Sequence, residues 1–183
     1  MLGHMKKNSV KAVHHLVDTY PKVPLTVDCV IFGFEESKLK VLLIKSDLAF
    51  FQGKLSLLGD FVKNNEDLDS AAYRILKERT GMNNVFLDQV KVFGKPERHP
   101  GGRVITIAYC SLLNIQHHAL NIHENELDWY DYDTLKEMAF DHLEIVEECH
   151  SWLQKRIQEH PLGFNLLPDK FSLRELQNLY EAI

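Results

Sequence analysis

The stretch that most constrains this chain runs from Gly59 to Met82, where one glycine opens a loop, a helix follows, and a second glycine closes it. Residues 67 to 80 read as an amphipathic helix. Asp67 and Asp69 stand in its first turn, where the helix dipole favours negative charge. Gly81 stands where a left-handed C-cap is needed. The apolar run Leu55 to Leu58 leads in as a short strand, and the β-rich run Val85 to Phe93 leads out. A helix bounded in this way and set inside a series of strands points to a layered α+β domain.

On that helix, positions 75, 78 and 79 lie at i, i+3 and i+4, so they are expected to share one face. The face offers Ile75, Glu78 and Arg79. The whole stretch resembles the Nudix box, G-x5-E-x7-R-E-U-x-E-E-x-G-U, in which U is a bulky aliphatic residue. Glu66, Arg74, Leu76, Glu78, Gly81 and Met82 match the pattern; Asp60 replaces its glycine, and Ile75 and Arg79 replace two of its glutamates. The resemblance implies a fold used to hydrolyse nucleoside diphosphates linked to another group, with three helix glutamates holding Mg²⁺, a hard cation that prefers oxygen ligands. Here one carboxylate remains on that face, beside an apolar group and a cation that never deprotonates. No catalytic residues are expected from the degenerate positions Asp60, Ile75 and Arg79, and no cofactor. Under the alternative reading, an active hydrolase of the ADP-ribose pyrophosphatase type, Glu66 and Glu78 would hold Mg²⁺. If the shared face is right, Ile75→Glu with Arg79→Glu creates metal affinity.

Composition narrows the remaining classes. A chain of 183 residues with 45% hydrophobic and 26% charged residues is ordinary for a globular domain with one added element. A net charge of -5 carries no electrostatic hint of nucleic acid, and no apolar run is long enough to span a bilayer. Cys29, Cys110 and Cys149 are widely spaced and without a Cys-x-x-Cys pair, so they read as reduced, buried thiols of a cytoplasmic protein. His117-His118 with His123-Glu124 reads as a solvated loop in preference to a metal site, because no helical spacing aligns its ligands.

Along the chain, residues 1–23 form a polar N-terminal segment with a short helix expected around His14 to Tyr20. A domain over 24–140 begins with Leu25 to Phe34 and Leu39 to Lys45, joined by a hairpin at Glu35-Glu36-Ser37-Lys38. Val104 to Leu113 and Leu127 to Tyr130 are further strands. Leu143, Val146, Cys149, Leu153 and Ile157 recur at helical spacing, predicting a connecting helix over 141–160. Pro161 ends it, and Gly163 to Pro168 links to a second helix. Ser172 and Glu175 form a capping box, followed by an apolar stripe of Leu173, Leu176, Tyr180 and Ile183. By spacing alone that stripe packs on the preceding domain.

The run from Pro161 to Ile183 also resembles the junction and first helix of the winged helix-turn-helix in Nudix-related transcriptional regulators, as do Ala139-Phe140-Asp141-His142 and the Arg98 to Val104 segment. That resemblance implies a Nudix-type α/β/α sandwich with a C-terminal helical extension, residues 161–183 being the start of a winged helix whose remainder lies past Ile183. It implies a cytoplasmic homodimer with no membrane partner, binding a sugar or an ADP-ribose-like nucleotide. The degenerate box is more like that of the sugar-responsive regulators. Arg98 and Arg103 are the ligand-binding candidates, since guanidinium forks suit oxygen-rich groups; the plainer reading of both is solvated loop charge. DNA is a partner of the full-length protein but not of this fragment alone, because from Phe140 onward eight acids face four bases and phosphate binding needs the opposite sign. A third reading is a scaffold that binds proteins only.

Overall fold

The computed structural model describes residues 19–118, 120, 127–159, 167 and 171–183. The helix expected around His14 to Tyr20, His123-Glu124 and most of the Pro161 to Pro168 linker lie outside them. The described residues form a seven-stranded mixed sheet between helices, the expected α+β sandwich.

The central strand explains the layering. In β1 (Leu25–Glu35) every residue from 27 to 34 is buried, as a strand covered on both faces must be. Val27, Cys29 and Ile31 face one core, which also contains Ala71, Ala72, Ile75 and Leu76 of helix α1 (Leu68–Thr80). Val30, Phe32 and Phe34 face the other, filled by Ile145, Val146, Cys149, Leu153 and Ile157 of helix α2 (His142–Glu159). The helix expected as a connector over 141–160 therefore also supplies an outer layer of the sandwich.

Strand β1 runs parallel to β6 (Ile105–Asn114) and antiparallel to β2 (Lys38–Lys45). The hairpin between β1 and β2 turns on Glu36 and Ser37, both with positive φ (49° and 61°), the geometry that matches the twist of a two-residue turn. Beyond β6 lies β5 (Asp88–Phe93), and β7 (Leu127–Asp131) pairs with β2. The short strands β3 (Leu55–Ser56) and β4 (Leu58–Phe61) part company: β3 continues on β2, whereas β4 crosses to β1, pairing Thr26 with Phe61 and Cys29 with Leu58. Strand β1 thus pairs with β4 in its first half and with β2 in its second. The sheet opens where the partner changes.

Helix α1 ends on Gly81 as expected, and Asp67, expected inside its first turn, is its N-cap. The Asp67 carboxylate accepts from the Ser70 N–H at 2.7 Å, and Gly81 (φ 74°) donates to the Lys77 carbonyl. Helix α3 (Leu173–Ala182) begins with the expected capping box at Ser172 and Glu175. Its apolar stripe differs from expectation. Leu173 is 85% exposed and Tyr180 41%, while Leu179 is fully buried and Ile183 nearly so. The helix is turned so that Leu176, Leu179 and Ile183 meet the core of α2 and β2. Polar contacts fasten the same seam: His150 Nε2 donates to the Ile183 carbonyl at 2.6 Å, Gln154 donates to it at 2.9 Å, and Asn178 bonds Ser37 at 3.2 Å.

Candidate functional site

The opening in the sheet is a cavity of about 570 Å³. Thr26 and Asp28 of β1, Ile44 to Leu48 at the end of β2, and Ser56 to Phe61 form its floor and one side. Arg79 of α1 borders it, and Arg98, His99, Phe140 and His142 close the other wall. Gly59 is forced by this geometry, because a β-carbon there would collide with the Asp28 carboxylate.

Beside the cavity, Arg74 binds the Gly59–Met82 loop to its helix. Its guanidinium donates to both oxygens of Glu66 (2.9 and 2.8 Å), to Asp60 and Glu78 (3.1 Å each) and to the Phe61 carbonyl (3.0 Å). The Lys63 N–H also donates to Glu66. These bonds, Arg74 first, lower the Glu66 carboxyl to about 2 and raise the Arg74 guanidinium further above its usual range.

The face expected to unite positions 75, 78 and 79 is split. Ile75 is 1% exposed and packs in the core with Ala71, Ala72 and Leu76. Glu78 turns outward to Arg74 and Lys63. Arg79 emerges at the rim of the core face, into the cavity. A glutamate at 75 would enter the apolar core, so the expectation that Ile75→Glu with Arg79→Glu creates a metal site is corrected here. Nor do the remaining residues fit Mg²⁺. Both Glu66 oxygens are already bound by a guanidinium, Glu78 shares that guanidinium, and a second arginine lines the space where a cation would meet a phosphate. Among the described residues no cluster of three or more His, Cys, Asp or Glu is placed to hold a metal.

Arg98 and Arg103, the two ligand candidates, are not brought together. Arg98 lines the cavity with its side chain 3% exposed, and makes a two-pronged pair with Asp141 at 2.8 and 2.7 Å. Arg103 is exposed and donates to the Gly94 carbonyl at 2.7 Å, outside the cavity lining.

Several lining residues carry no mark in the degenerate box. Asp28, buried, accepts from Thr106 Oγ1 at 2.7 Å and lies 3.8 Å from Arg98 and 3.7 Å from His142 Nε2. The Leu57 N–H donates to His142 Nδ1 at 3.0 Å, which places the imidazole proton on Nε2, facing Asp28. Burial lowers the His142 pKa, against the opposing pull of Asp28, and the ring is neutral at pH 7. Phe140 holds a positive φ of 53°, a conformation a bulky residue adopts at a cost of about 1–3 kcal/mol. That backbone lays its ring against His99, nearly parallel at 5.0 Å, with Phe51 tilted on it at 4.3 Å. The cavity wall is thereby aromatic. Phe140, Asp141 and His142 stand in the segment that resembled the regulators, but no spacing tied them to Asp28, which lies on the far side of the chain.

Comparison with known proteins agrees with this geometry. Residues 22–149 match the family model described as NUDIX domain. The chain is 32% identical over 169 residues to the ADPR responsive transcriptional repressor NtrR of Acinetobacter baylyi, covering 90% of this chain and 68% of that protein. It is 32% identical over 122 residues to the ADP-ribose pyrophosphatase of Methanocaldococcus jannaschii, covering 66% of this chain and 71% of that one. Shewanella oneidensis NrtR, at 28% identity, superposes with a TM-score of 0.76 over 87% of this chain and 77% of its own. The NUDIX domain of that protein complexed with ADP ribose superposes with a TM-score of 0.67, over 74% of this chain and 92% of its own. A further structure of it is complexed with a 27mer DNA.

Proposed function

We propose that this chain, which belongs to the Nudix family, is the effector-sensing part of a transcriptional regulator whose effector is a nucleotide of the ADP-ribose type. The observation that carries the reading is one cavity with cations and stacked aromatic rings on its walls, beside a box whose carboxylates are spent on Arg74. Lys45, Arg79 and Arg98 suit phosphates, and the Phe140–His99 wall suits a planar base. The two NrtR-type relatives, one named for its response to ADPR and one solved with ADP ribose, favour the same ligand class.

In this reading the protein works as a cytoplasmic homodimer. Effector binding at the cavity biases how α3 sits on the Nudix body. DNA is a partner in this reading, as it is of the NrtR solved with a 27mer, but the acidic part from Phe140 to Ile183 does not itself supply phosphate contacts. The second reading, a pyrophosphatase, is favoured by retention of Glu66 and Glu78 and by the archaeal relative.

A thermal-shift comparison tests the proposal, because a ligand of the native state stabilises it by mass action. ADP-ribose is expected to raise the melting temperature in a saturable way, and arabinose, ribose and glucose are not. A shift with a free sugar and none with any nucleotide would overturn it.

A further inference from the structure

Resting on the nucleotide reading above, we infer that Asp28, His142 and Arg98 form a subsite for the vicinal hydroxyls of the terminal ribose, so that the cavity tells ADP-ribose from a nucleotide that ends at its diphosphate. The three residues come from β1, the first turn of α2 and the loop between β5 and β6, and all line the cavity. Their side chains are only 7%, 7% and 3% exposed, yet each keeps one polar atom uncommitted. Arg98 spends Nε and Nη2 on Asp141 and leaves Nη1. His142 accepts the Leu57 N–H and meets the Ser56 hydroxyl at Nδ1, and leaves the proton on Nε2. Asp28 gives Oδ2 to Thr106 and leaves Oδ1. Among the described residues these three atoms make no hydrogen bond, and none is sealed from solvent: the one side-chain polar atom there that is both buried and unbonded is Arg156 Nε.

Spacing makes the trio a receptor and not a closed network. Asp28 Oδ1 lies 3.7 Å from His142 Nε2, and Oδ2 lies 3.8 Å from Arg98 Nη2, both too far for a hydrogen bond. A hydroxyl oxygen bridges a gap of that size, since it donates to the carboxylate and accepts from the imidazole N–H at once. Nη1, on the same guanidinium, supplies a donor for the adjoining hydroxyl. Gly59 leaves Oδ1 uncovered, because a β-carbon there would collide with it. Charge decides against a phosphate in this corner. A guanidinium by itself suits one, but Arg98 stands between Asp28 and Asp141, two carboxylates against one cation, with His142 neutral. A phosphate oxygen would meet Asp28 Oδ1 with no proton to share. An uncharged group that both donates and accepts fits, and with the base on the Phe140–His99 wall the terminal ribose is that part of the effector.

The test is calorimetric titration of ADP-ribose and of the β-methyl ester of ADP, which carries the same charge and lacks the terminal ribose. The wild-type chain is expected to bind ADP-ribose about 10- to 100-fold more tightly, the usual worth of hydrogen bonds to charged groups. Asp28→Asn keeps an acceptor for Thr106 and loses the charge. It is expected to remove most of that preference by weakening ADP-ribose, with the methyl ester little changed. Equal wild-type affinities for the two ligands would overturn the inference and leave the nucleotide reading standing. So would an Asp28→Asn variant that keeps the full preference, or one that weakens both ligands alike, as a purely structural carboxylate would. The first comparison uses the unaltered chain, so it decides the matter even if the variant does not fold. Absence of binding by either ligand would bring down the nucleotide reading, and this inference with it.

Discussion

Arg74 and Arg98 each grip a carboxylate with two nitrogens, yet they do different work. The partners of Arg74 all lie between Asp60 and Glu78, on one loop and one helix. The partner of Arg98 is Asp141, 43 residues away, and the pair closes over Asp28 inside the cavity wall. Arg74 folds a motif upon itself. Arg98 joins the start of α2 to the central strand and shapes the place where a ligand would sit. A motif conspicuous in sequence has become local scaffolding, and the chemistry has passed to groups that only the tertiary fold assembles.

The largest expected effect comes from the side of the box helix that its polar hub does not touch. Ile75→Glu buries a carboxylate at a position 1% exposed and should cost more than about 4 kcal/mol, leaving little folded protein in a urea melt. If Ile75→Glu proved mild, the claim that this face belongs to the core would be broken. Next comes Arg98→Ala, which strands Asp141 and Asp28 without their cation and should cost about 3–5 kcal/mol. Arg74→Ala, two of whose three acidic partners (Asp60 and Glu78) reach solvent while Glu66 is 12% exposed, should cost less by the same denaturation measurement. Equal losses would erase the distinction between the two arginines.

The two networks should also titrate apart. His142 has its pKa lowered by burial, so the unfolded chain takes up a proton first. Its contribution is complete above the usual value of 6.5 and is lost as pH falls below it toward the lowered value. The loss should not exceed about 1.4 kcal/mol per pH unit, and His142→Gln, which keeps an acceptor for the Leu57 N–H, should flatten it. His150, lowered by its own burial in the α2–α3 seam, contributes in the same direction. Glu66, lowered by Arg74, acts only in acid, its contribution fading between 4.5 and about 2. The box hub should therefore survive at a pH where the His142 side has already weakened, as exchange protection of the Lys63 N–H against the Leu57 N–H would reveal.

How much of this was legible follows the same division. Caps are local, so Gly81 and the Ser172–Glu175 box could be read directly, and Asp67 was placed one position too far inside its helix. Periodicity located α2 and its buried Val146, Cys149, Leu153 and Ile157, but chose the half-buried Leu143 and passed over Ile145 and His142. It misjudged the rotation of α3, because Tyr180 and Leu173 are as apolar as Leu179 and only docking against α2 chooses between them. Spacing placed Ile75, Glu78 and Arg79 within one broad arc of a helix but could not say where the core ends and the cavity begins. Among the cavity residues, Arg98 was visible as a loop cation. Asp28 was hidden in an apolar strand, and nothing short of the fold connects it with Thr106 and His142. Phe140 could not announce a left-handed backbone, since aromatic residues rarely adopt one.

The central claim is that the cavity holds a nucleotide diphosphate and leaves it intact. Phosphorus NMR of ADP-ribose mixed with stoichiometric protein in the presence of Mg²⁺ tests both halves at once. The account predicts that the diphosphate resonances shift or broaden and that no phosphomonoester signals grow in. Appearance of AMP and ribose 5-phosphate, or diphosphate lines indifferent to the protein, would contradict it.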